Sequence, residues 1–437
     1  MLDKAGKAQW RRGLRGAGRR GAASNRQPEK RLNGNGNFFA GLGLTYSIAN
    51  TIIIRPQTEI CPRINHYSNT IMKRTMFITM LAAALVGSQV FADYIPTITN
   101  AGKVNDGFYV GEYSQTEDVS GANVTINEVQ EGGEDFSRIG VYGGYTIGEQ
   151  AAASNNKITM TGGQVQSLFG ALGKTTVSGN TVIMTGGKVT SLNGGFSTEN
   201  EALVEKNVVI VAGDSVVGYL IGGGLNTVSG AANDNKIYLV GKGATATIAD
   251  AQGNTDTYTG GAISLNTVFG GRGPVSAGNS IDIYGTGITA SGLVKDMQIL
   301  NFHIANLDDG ATPMITLPSG LDLTKFLVPT EENPSPELAL TFDALDSMEW
   351  KPGASVTLVN AESGIGIDES LLEKEYNIYR NGDPDKIVLG TATLKLEQGE
   401  GTTEILKLVT NGNVPEPATG TLSLLALAGL MARRRRK

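Results

Sequence analysis

A short segment recurs five times without gaps in the middle of this 437-residue chain. Each copy begins with Asn, carries apolar residues two and four positions later, and has Gly six positions after the Asn. Apolar residues two apart predict a strand with one buried face. The fixed Gly predicts a corner that needs positive φ or a close backbone approach. The copies begin at Asn156, Asn180, Asn207, Asn235 and Asn279.

A second glycine motif accompanies most of the copies. It reads VYGG at Val141, LFGA at Leu168, LNGG at Leu192, LIGGG at Leu220 and VFGG at Val268. Each repeat therefore predicts a strand, a glycine corner, a short strand and a second corner. One such unit cannot bury its own apolar face, whereas stacked units share one continuous core.

Parallel stacking would place the five asparagines in line, so that their amides form a hydrogen-bonded ladder from one repeat to the next. Residues 93–300 thus predict an all-β fold built as a parallel β-solenoid, with a right-handed β-helix favoured. The repeat pattern resembles the passenger repeats of autotransporter-like adhesins. The alternative is a β-sandwich or propeller with glycine-rich turns, and the uneven repeat spacing argues against a propeller.

Residues 301–413 lack the repeat and contain several prolines. Segments such as GASVTLVNAESG at Gly353 predict antiparallel strands, and NGDPD at Asn381 predicts a turn between two of them. We expect this region to form a β-rich C-terminal cap that covers the end of the solenoid.

Residues 72–92 have the three parts of a secretory signal peptide. Lys73 and Arg74 precede an apolar core, and small residues lead to a cleavage site between Ala92 and Asp93. The core is expected to enter the membrane as a helix. Residues 1–71 are basic and have no pattern, which favours a start codon assigned too early; a basic cytoplasmic extension is the alternative.

Three features follow one another in residues 414–437: a Pro-Glu-Pro triplet, an uncharged apolar run and a basic end. The run is shorter than the roughly 20 residues that usually cross the hydrocarbon layer. Flanking arginine can extend it, so a short transmembrane helix is predicted, with the basic end as a cytoplasmic membrane stop. The triplet is Pro415, Glu416 and Pro417, and the stop is Arg433, Arg434, Arg435, Arg436 and Lys437.

This arrangement resembles the PEP-CTERM sorting signal of Gram-negative bacteria. The resemblance implies processing by an exosortase-type membrane protease near the triplet. It also implies transient anchoring in the inner membrane and delivery to the outer surface or its polysaccharide matrix. An ordinary membrane anchor is the alternative, but it would not explain the triplet.

Charge and composition exclude several classes of function. Residues 93–432 carry 17 basic and 39 acidic side chains, a net charge of −22. This charge repels phosphate backbones and predicts no nucleic-acid binding. The region has no cysteine and only one histidine, His303, which excludes thiol catalysis, disulfides and Cys/His zinc sites. No metal or cofactor is expected; Asp308-Asp309 and Glu331-Glu332 are interpreted as loop charge, with weak Ca²⁺ binding as the alternative.

Two hypotheses of function remain, and a plain matrix or surface-layer component without a ligand is a third alternative close to the first. The first is a non-enzymatic, adhesin-like structural protein of the envelope that interacts with extracellular polysaccharide or surfaces. The second is a secreted carbohydrate-active enzyme, a lyase or glycosidase, which would need clustered acids on one face. No acid pair recurs in the repeats, so the first is favoured. Asp282 is expected to be a solvated surface residue, and His303 to be a strand histidine with local hydrogen bonds.

Overall fold

The alternating apolar residues of the five repeat strands point into one core. The computed structural model describes residues 97–105, 108–127, 139–305, 312–323, 338–345, 351–382 and 385–413. None of the ten alternating residues is more than 3 % exposed. They are Ile158, Met160, Val182, Met184, Val209, Val211, Ile237, Leu239, Ile281 and Ile283.

Strands make up nearly all of the regular secondary structure of the described chain. The first strands are β1 Thr97–Thr99, β2 Gly102–Asn105, β3 Phe108–Ser114, β4 Val119–Ser120, β5 Asn123–Asn127, β6 Gly140–Thr146, β7 Ala153–Ser154, β8 Lys157–Met160, β9 Gln164–Gly173, β10 Thr176–Ser178, β11 Thr181–Ser197, β12 Leu203–Glu205, β13 Val208–Leu225, β14 Ala231–Asn233 and β15 Lys236–Val240.

The remaining elements include the one helix of the described residues. They are β16 Thr245–Ala249, β17 Thr255–Arg272, β18 Val275–Ala277, β19 Ser280–Tyr284, β20 Ile288–Ala290, β21 Val294–Lys295, β22 Ile299–Ile304, β23 Ile315–Leu317, β24 Leu321–Asp322, β25 Ala339–Ala344, β26 Ser355–Ala361, β27 Ile365–Gly366, α1 Glu369–Glu373, β28 Glu375–Arg380, β29 Val388–Gln398 and β30 Glu404–Asn413.

Equivalent repeat positions lie side by side. Strands β8, β11, β13, β15 and β19 pair in parallel, and the first apolar position of each faces that of the next. The short strands β4, β7, β10, β12, β14 and β18 form a second parallel sheet. Because every repeat keeps the same register, a side chain at one repeat position lies next to the same position one strand away.

The main sheet is nevertheless mixed and closes on itself. Twelve strands form a hydrogen-bonded ring in the order β13, β15, β19, β22, β25, β28, β29, β30, β26, β23, β20 and β17, and β17 pairs with β13 again. Several of these pairs are antiparallel, among them β28–β29, β29–β30 and β26–β30. Closure leaves the ring without free edges, so its backbone groups are paired within the sheet.

The predicted parallel β-solenoid, favoured as a right-handed β-helix with a separate β-rich cap, is therefore wrong. Seven strands from this region contribute to the same closed sheet as the repeats instead of covering it: β22, β23, β25, β26, β28, β29 and β30. Strands β24 and β27 pair with each other in a separate two-stranded sheet. The repeat pattern predicts which strands are neighbours and in what register. It carries no information on closure, because the antiparallel strands that close the ring come from a segment without repeats.

The insertion before the last repeat forms an antiparallel hairpin of β16 and the start of β17. Ile248 and Tyr258 of this hairpin pack with Ile210 in a second hydrophobic core. Asp250 at its tip forms a 3.2 Å salt bridge with Lys157 of β8. The hairpin thus covers part of the surface of the repeat strands.

The predicted signal helix at 72–92 and the predicted transmembrane helix at 414–437 lie outside the described residues. The described helix α1 has five residues, with Asp368 as its N-cap. Within the described ranges, no helix has the length and apolar character that crossing a membrane requires.

Candidate functional site

Five buried asparagines form a ladder through the repeats. The side-chain Nδ2 of Asn156 donates to Oδ1 of Asn180 at 3.0 Å, and Asn180 donates to Asn207 at 2.9 Å. Asn207 donates to Asn235 at 2.9 Å, and Asn235 to Asn279 at 3.0 Å. All five side chains are fully buried, so each amide meets its hydrogen-bonding needs only within the ladder and the adjacent backbone.

The ladder ends on a residue that the repeat pattern does not reveal. Oε1 of Gln298 accepts from the backbone N–H of Asn279 at 2.9 Å, as the next asparagine would. Its Nε2 donates to the carbonyl of Ser276 at 3.1 Å. At the other end, Oδ1 of Asn156 accepts from the backbone N–H of Ala122. Gln298 is missed from the sequence because no repeat copy surrounds it.

The residue before each ladder asparagine has positive φ, between 53° and 65°, although the residue type differs from repeat to repeat. This conformation turns the chain so that the next side chain enters the ladder. Glycine adopts it freely, whereas residues with a Cβ adopt it at a cost of about 1 kcal/mol or more. The five residues are Asn155, Gly179, Lys206, Asp234 and Gly278.

The paired glycines of the second motif make room for the ladder. A Cβ on the first glycine, as at Gly194, would lie 2.2 Å from the carbonyl oxygen of Gly222 in the next repeat. A Cβ on the second glycine, as at Gly223, would lie 2.5 Å from Nδ2 of Asn235. Close packing between neighbouring repeats therefore favours glycine at both positions, and Ala171 of LFGA is the exception at the second.

The residue before each glycine pair occupies one outward column of the sheet, on the face opposite the main core; Tyr142, Phe169 and Phe269 of this column are partly exposed, whereas Asn193 and Ile221 are buried. Tyr142 is in register with Phe169, and Phe169 continues through Asn193 and Ile221 to Phe269. Aromatic residues occupy three of these five positions. The sequence carries this signal in VYGG, LFGA and VFGG, in which an aromatic residue precedes the glycine at the fixed position; the glycines alone do not predict it.

Six aromatic rings around this column form a continuous surface, which we call the aromatic strip. Tyr142 stacks on Phe169 with centroids 5.0 Å apart and on Tyr145 at 5.6 Å. Phe169 meets Phe196 edge-on at 5.8 Å. The six rings are partly exposed to solvent. They belong to Phe108, Tyr113, Tyr142, Tyr145, Phe169 and Phe196.

The rings of the aromatic strip combine apolar faces with polar hydroxyl groups. Each contact between rings adds about 0.5–1.5 kcal/mol beyond the burial of area, which favours a fixed arrangement. Burial, with a smaller effect of Tyr145, raises the pKa of Tyr142 to about 12. The Tyr142 hydroxyl therefore stays protonated and can donate a hydrogen bond at neutral pH.

A second polar cluster lies on the strands β19, β22 and β25. His303 Nε2 lies 3.0 Å from Oδ1 of Asp282, and Nδ1 lies 2.7 Å from Oδ1 of Asp343. The ring of Tyr284 stacks on the imidazole with centroids 3.7 Å apart. Asn301 donates to the same oxygen of Asp282 at 2.8 Å.

Both nitrogens of His303 face carboxylate oxygens, and an ionised carboxylate only accepts hydrogen bonds. Both nitrogens must therefore donate, which requires the imidazolium. Burial by itself would lower the pKa of His303, but hydrogen bonds to Asp282 and Asp343 and the charges of both raise it to about 9. A histidine with both N–H groups engaged holds strands together and has no free lone pair to act as a base.

The predicted surface position of Asp282 is wrong, since this residue is only 7 % exposed. His303 has the hydrogen bonds expected of a strand histidine, but its partners are 21 and 40 residues away in the chain. The sequence does not predict the cluster, because Asp282, His303 and Asp343 come from three different strands. The register of β19, β22 and β25 alone brings them together.

Other predicted residues lie outside the described ranges. These include the sorting triplet at 415–417, the membrane stop at 433–437 and the cleavage site at 92–93. The acidic pairs at 308–309 and 331–332 also lie outside them. Within the described part of the chain, no group of three or more His, Cys, Asp or Glu side chains has the arrangement of a metal site.

The fold and its surface define an all-β protein built largely from repeats. Its C-terminal residues 413–437 match the PEP-CTERM protein-sorting motif. The motif marks the chain as an exported, envelope-associated protein that an exosortase recognises and sorts, and at this level the prediction from the sequence is confirmed.

No curated protein and no solved structure matches the chain. The predicted resemblance of the body to autotransporter passengers therefore finds no support in these comparisons.

Proposed function

We propose that this protein is a non-enzymatic, adhesin-like structural component of the cell surface that binds extracellular polysaccharide through the aromatic strip. The observation that carries the proposal is the row of partly exposed, mutually stacked rings beginning at Tyr142 and Phe169. Exposed apolar surface of this kind is typical of interaction sites. The sorting motif supports delivery to the compartment in which such polysaccharide is found.

The chemistry of the rings suits sugars. The face of an aromatic ring is electron-rich and attracts polarised C–H groups, which the face of a pyranose ring presents. Tyrosine adds hydroxyl groups that can bond to sugar hydroxyls. Tyr142 and Phe169 lie on neighbouring strands, so their rings repeat at about 4.8 Å, the spacing of strands in a sheet. This spacing is comparable to the length of one pyranose unit.

The repeats supply rigidity to this surface. Phe196 lies on β11, which is joined to the neighbouring β13 by the glycine contacts and by the ladder bond between Asn180 and Asn207. A surface that is already ordered loses little conformational entropy when it binds an extended chain. The aromatic strip is therefore suited to repeated weak contacts along a polymer.

The proposal is tested by affinity electrophoresis through gels that contain polysaccharide extracted from the envelope of the producing cells. We expect the wild-type protein to be retarded and the double variant F169A/F196A to lose at least about tenfold in affinity, which corresponds to about 1.4 kcal/mol. Tyr379→Ala is the matched control, since Tyr379 is a partly exposed aromatic residue on β28, away from the aromatic strip.

Retardation of the double variant equal to that of the wild type would overturn the proposal. Circular dichroism of both variants should match the wild type, because the substituted rings are partly exposed. If the spectrum of F169A/F196A differs from that of the wild type, the electrophoresis is repeated with the single variants Phe169→Ala and Phe196→Ala.

A secreted carbohydrate-active enzyme is the second candidate function. Asp282 and Asp343 flank His303, and paired carboxylates are the groups used in glycoside hydrolysis. Both carboxylates are engaged with the histidine, which favours the non-enzymatic proposal. We expect no release of reducing ends from the envelope polysaccharide; release that is lost in Asp282→Asn would favour the enzyme instead.

A further inference from the structure

Two cations lie over one aromatic ring at the far end of the outward column. The guanidinium carbon of Arg272 lies 5.7 Å from the centroid of the Phe269 ring, and Nζ of Lys295 lies 5.4 Å from it. Both distances are within the range of cation–π attraction. Phe269 and Lys295 are register partners on β17 and β21. We call Phe269, Arg272 and Lys295 the basic end.

The basic end meets the aromatic strip through Phe196 and Gly224, because the column positions between Phe169 and Phe269, which are Asn193 and Ile221, are only 1 % and 3 % exposed. Phe269 lies in the register column of Tyr142 and Phe169, and Arg272 is in register with Phe196 through Gly224. Phe196 and Arg272 are thus two strands apart, about 10 Å. Gly224 leaves the space between them open for the Phe196 ring, because a Cβ there would lie 2.8 Å from Cδ2 of that ring.

The cations of the basic end are weakly neutralised. In the described part of the chain, Lys295 forms an ion pair with Asp296 alone, at 3.9 Å, which is longer than a hydrogen bond. Burial raises the pKa of Asp296, although the charges of Lys295 and Arg272 oppose this effect. Arg272 is exposed and forms no ion pair with any residue that the structure describes. Two such cations stand out on a body with net charge −22 between residues 93 and 432.

We propose that the basic end binds the carboxylate groups of an acidic polysaccharide whose sugar rings lie along the aromatic strip. This inference rests on the proposed function and adds the ligand class, a polymer that contains uronic acid. A guanidinium can hold a carboxylate through two parallel hydrogen bonds, and an ammonium adds a point charge. The strong negative charge of the remaining body disfavours binding of acidic polymer elsewhere on the protein.

The test compares polygalacturonic acid with the same polymer after chemical reduction of its carboxyl groups. We expect the wild-type protein to bind the acidic form about tenfold more tightly, by microcalorimetry at low salt. The preference should decline with added NaCl, since exposed charges are screened. The variant R272Q/K295Q should lose the preference and keep its affinity for the reduced polymer.

Two further variants keep the test specific. Arg272→Lys retains the charge and should retain most of the preference, which a purely structural role of the guanidinium would not predict. Lys188→Gln removes one exposed cation of β11 outside the aromatic strip and should leave the preference unchanged.

Failure of the inference can be distinguished from failure of the proposed function. Equal binding of both polymers, abolished in F169A/F196A and unaffected in R272Q/K295Q, would overturn the acidic ligand and leave the aromatic strip as a glycan site. Binding of neither polymer by the wild type would also overturn the inference. The proposed function would then be tested only by the affinity electrophoresis with extracted envelope polysaccharide.

Discussion

Nδ1 of His303 lies 2.7 Å from Oδ1 of Asp343, although the two residues are 40 positions apart in the chain. The contact joins neighbouring strands β22 and β25, and the second ring nitrogen reaches Asp282 on β19. Three strands are thus held by one charged ring on the outside of the sheet, opposite the apolar contacts of Phe302 in the core.

The charge of His303 predicts a pH-dependent stability. Its pKa is raised from 6.5 to about 9 in the folded protein. The stabilisation is therefore fully present below about pH 6.5 and is lost as the pH rises through about 9. The shift corresponds to at most about 3 kcal/mol. Urea unfolding of the wild type and of His303→Gln between pH 6 and pH 10 measures the difference between their free energies of unfolding. A difference that does not change with pH would contradict the prediction.

Asn207→Ala should destabilise the protein by about 3 kcal/mol or more. The substitution removes the acceptor of both the backbone N–H and the side chain of Asn180, and it leaves the carbonyl of Val177 without its amide donor. Each buried polar group without a partner costs about 1–3 kcal/mol. The free energy of unfolding is the measurement, with the exposed Asn226→Ala as control, for which we expect a change within about 0.5 kcal/mol.

Gly223→Ala should also be destabilising, by about 1–3 kcal/mol. The new Cβ would lie 2.5 Å from Nδ2 of Asn235, whose position is fixed by the ladder. Gly102→Ala is the matched control, because a Cβ there meets no atom within 4 Å. Thermal unfolding of the two variants separates steric packing from the general effect of replacing glycine. Equal melting temperatures would show that the Asn235 side chain adapts.

The predicted signal peptide and the sorting motif together predict the two ends of the mature protein. We expect the chain recovered from the envelope to begin at Asp93 and to lack the basic residues 433–437. A variant with Pro415 and Pro417 replaced by alanine should keep the tail, since the recognised triplet is lost, whereas Ser423→Ala in the apolar run should be processed normally. Intact mass spectrometry checks all three, and a wild-type product that retains Lys437 would contradict exosortase processing.

The sequence predicts local relations in this fold better than distant ones. The same apolar positions in each copy are enough to predict that Ile158, Val182 and Val209 share one core, since a strand alternates its faces. The Asn at a constant position likewise predicts a row of amides. Closure of the sheet is set by strands from residues 301–413, where no repeat relates one strand to another, so the predicted solenoid and cap were wrong.

The candidate surfaces were harder to predict for a related reason. Aromatic residues before the glycine pairs are visible in the sequence, but Phe108 and Tyr113 join the aromatic strip from outside any repeat copy. The basic end needs the pairing of β17 with β21 across an irregular segment. Lys206 also has positive φ at its place before Asn207, and a lysine in the sequence does not indicate this conformation.

The asparagine ladder has a direction, because every side-chain amide donates toward the next repeat and Gln298 receives the last bond. Aligned amide dipoles polarise one another, so the row gains with each added member. A copy inserted between Asn156 and Asn180, which precede strands β8 and β11 outside the closed ring, would meet an acceptor on one side and a donor on the other, as its neighbours do. Duplication of a repeat could thus lengthen the molecule by one strand spacing, about 4.8 Å, without any change at the two termini of the row. The length of the row would then be a heritable dimension of this protein, adjustable in unit steps.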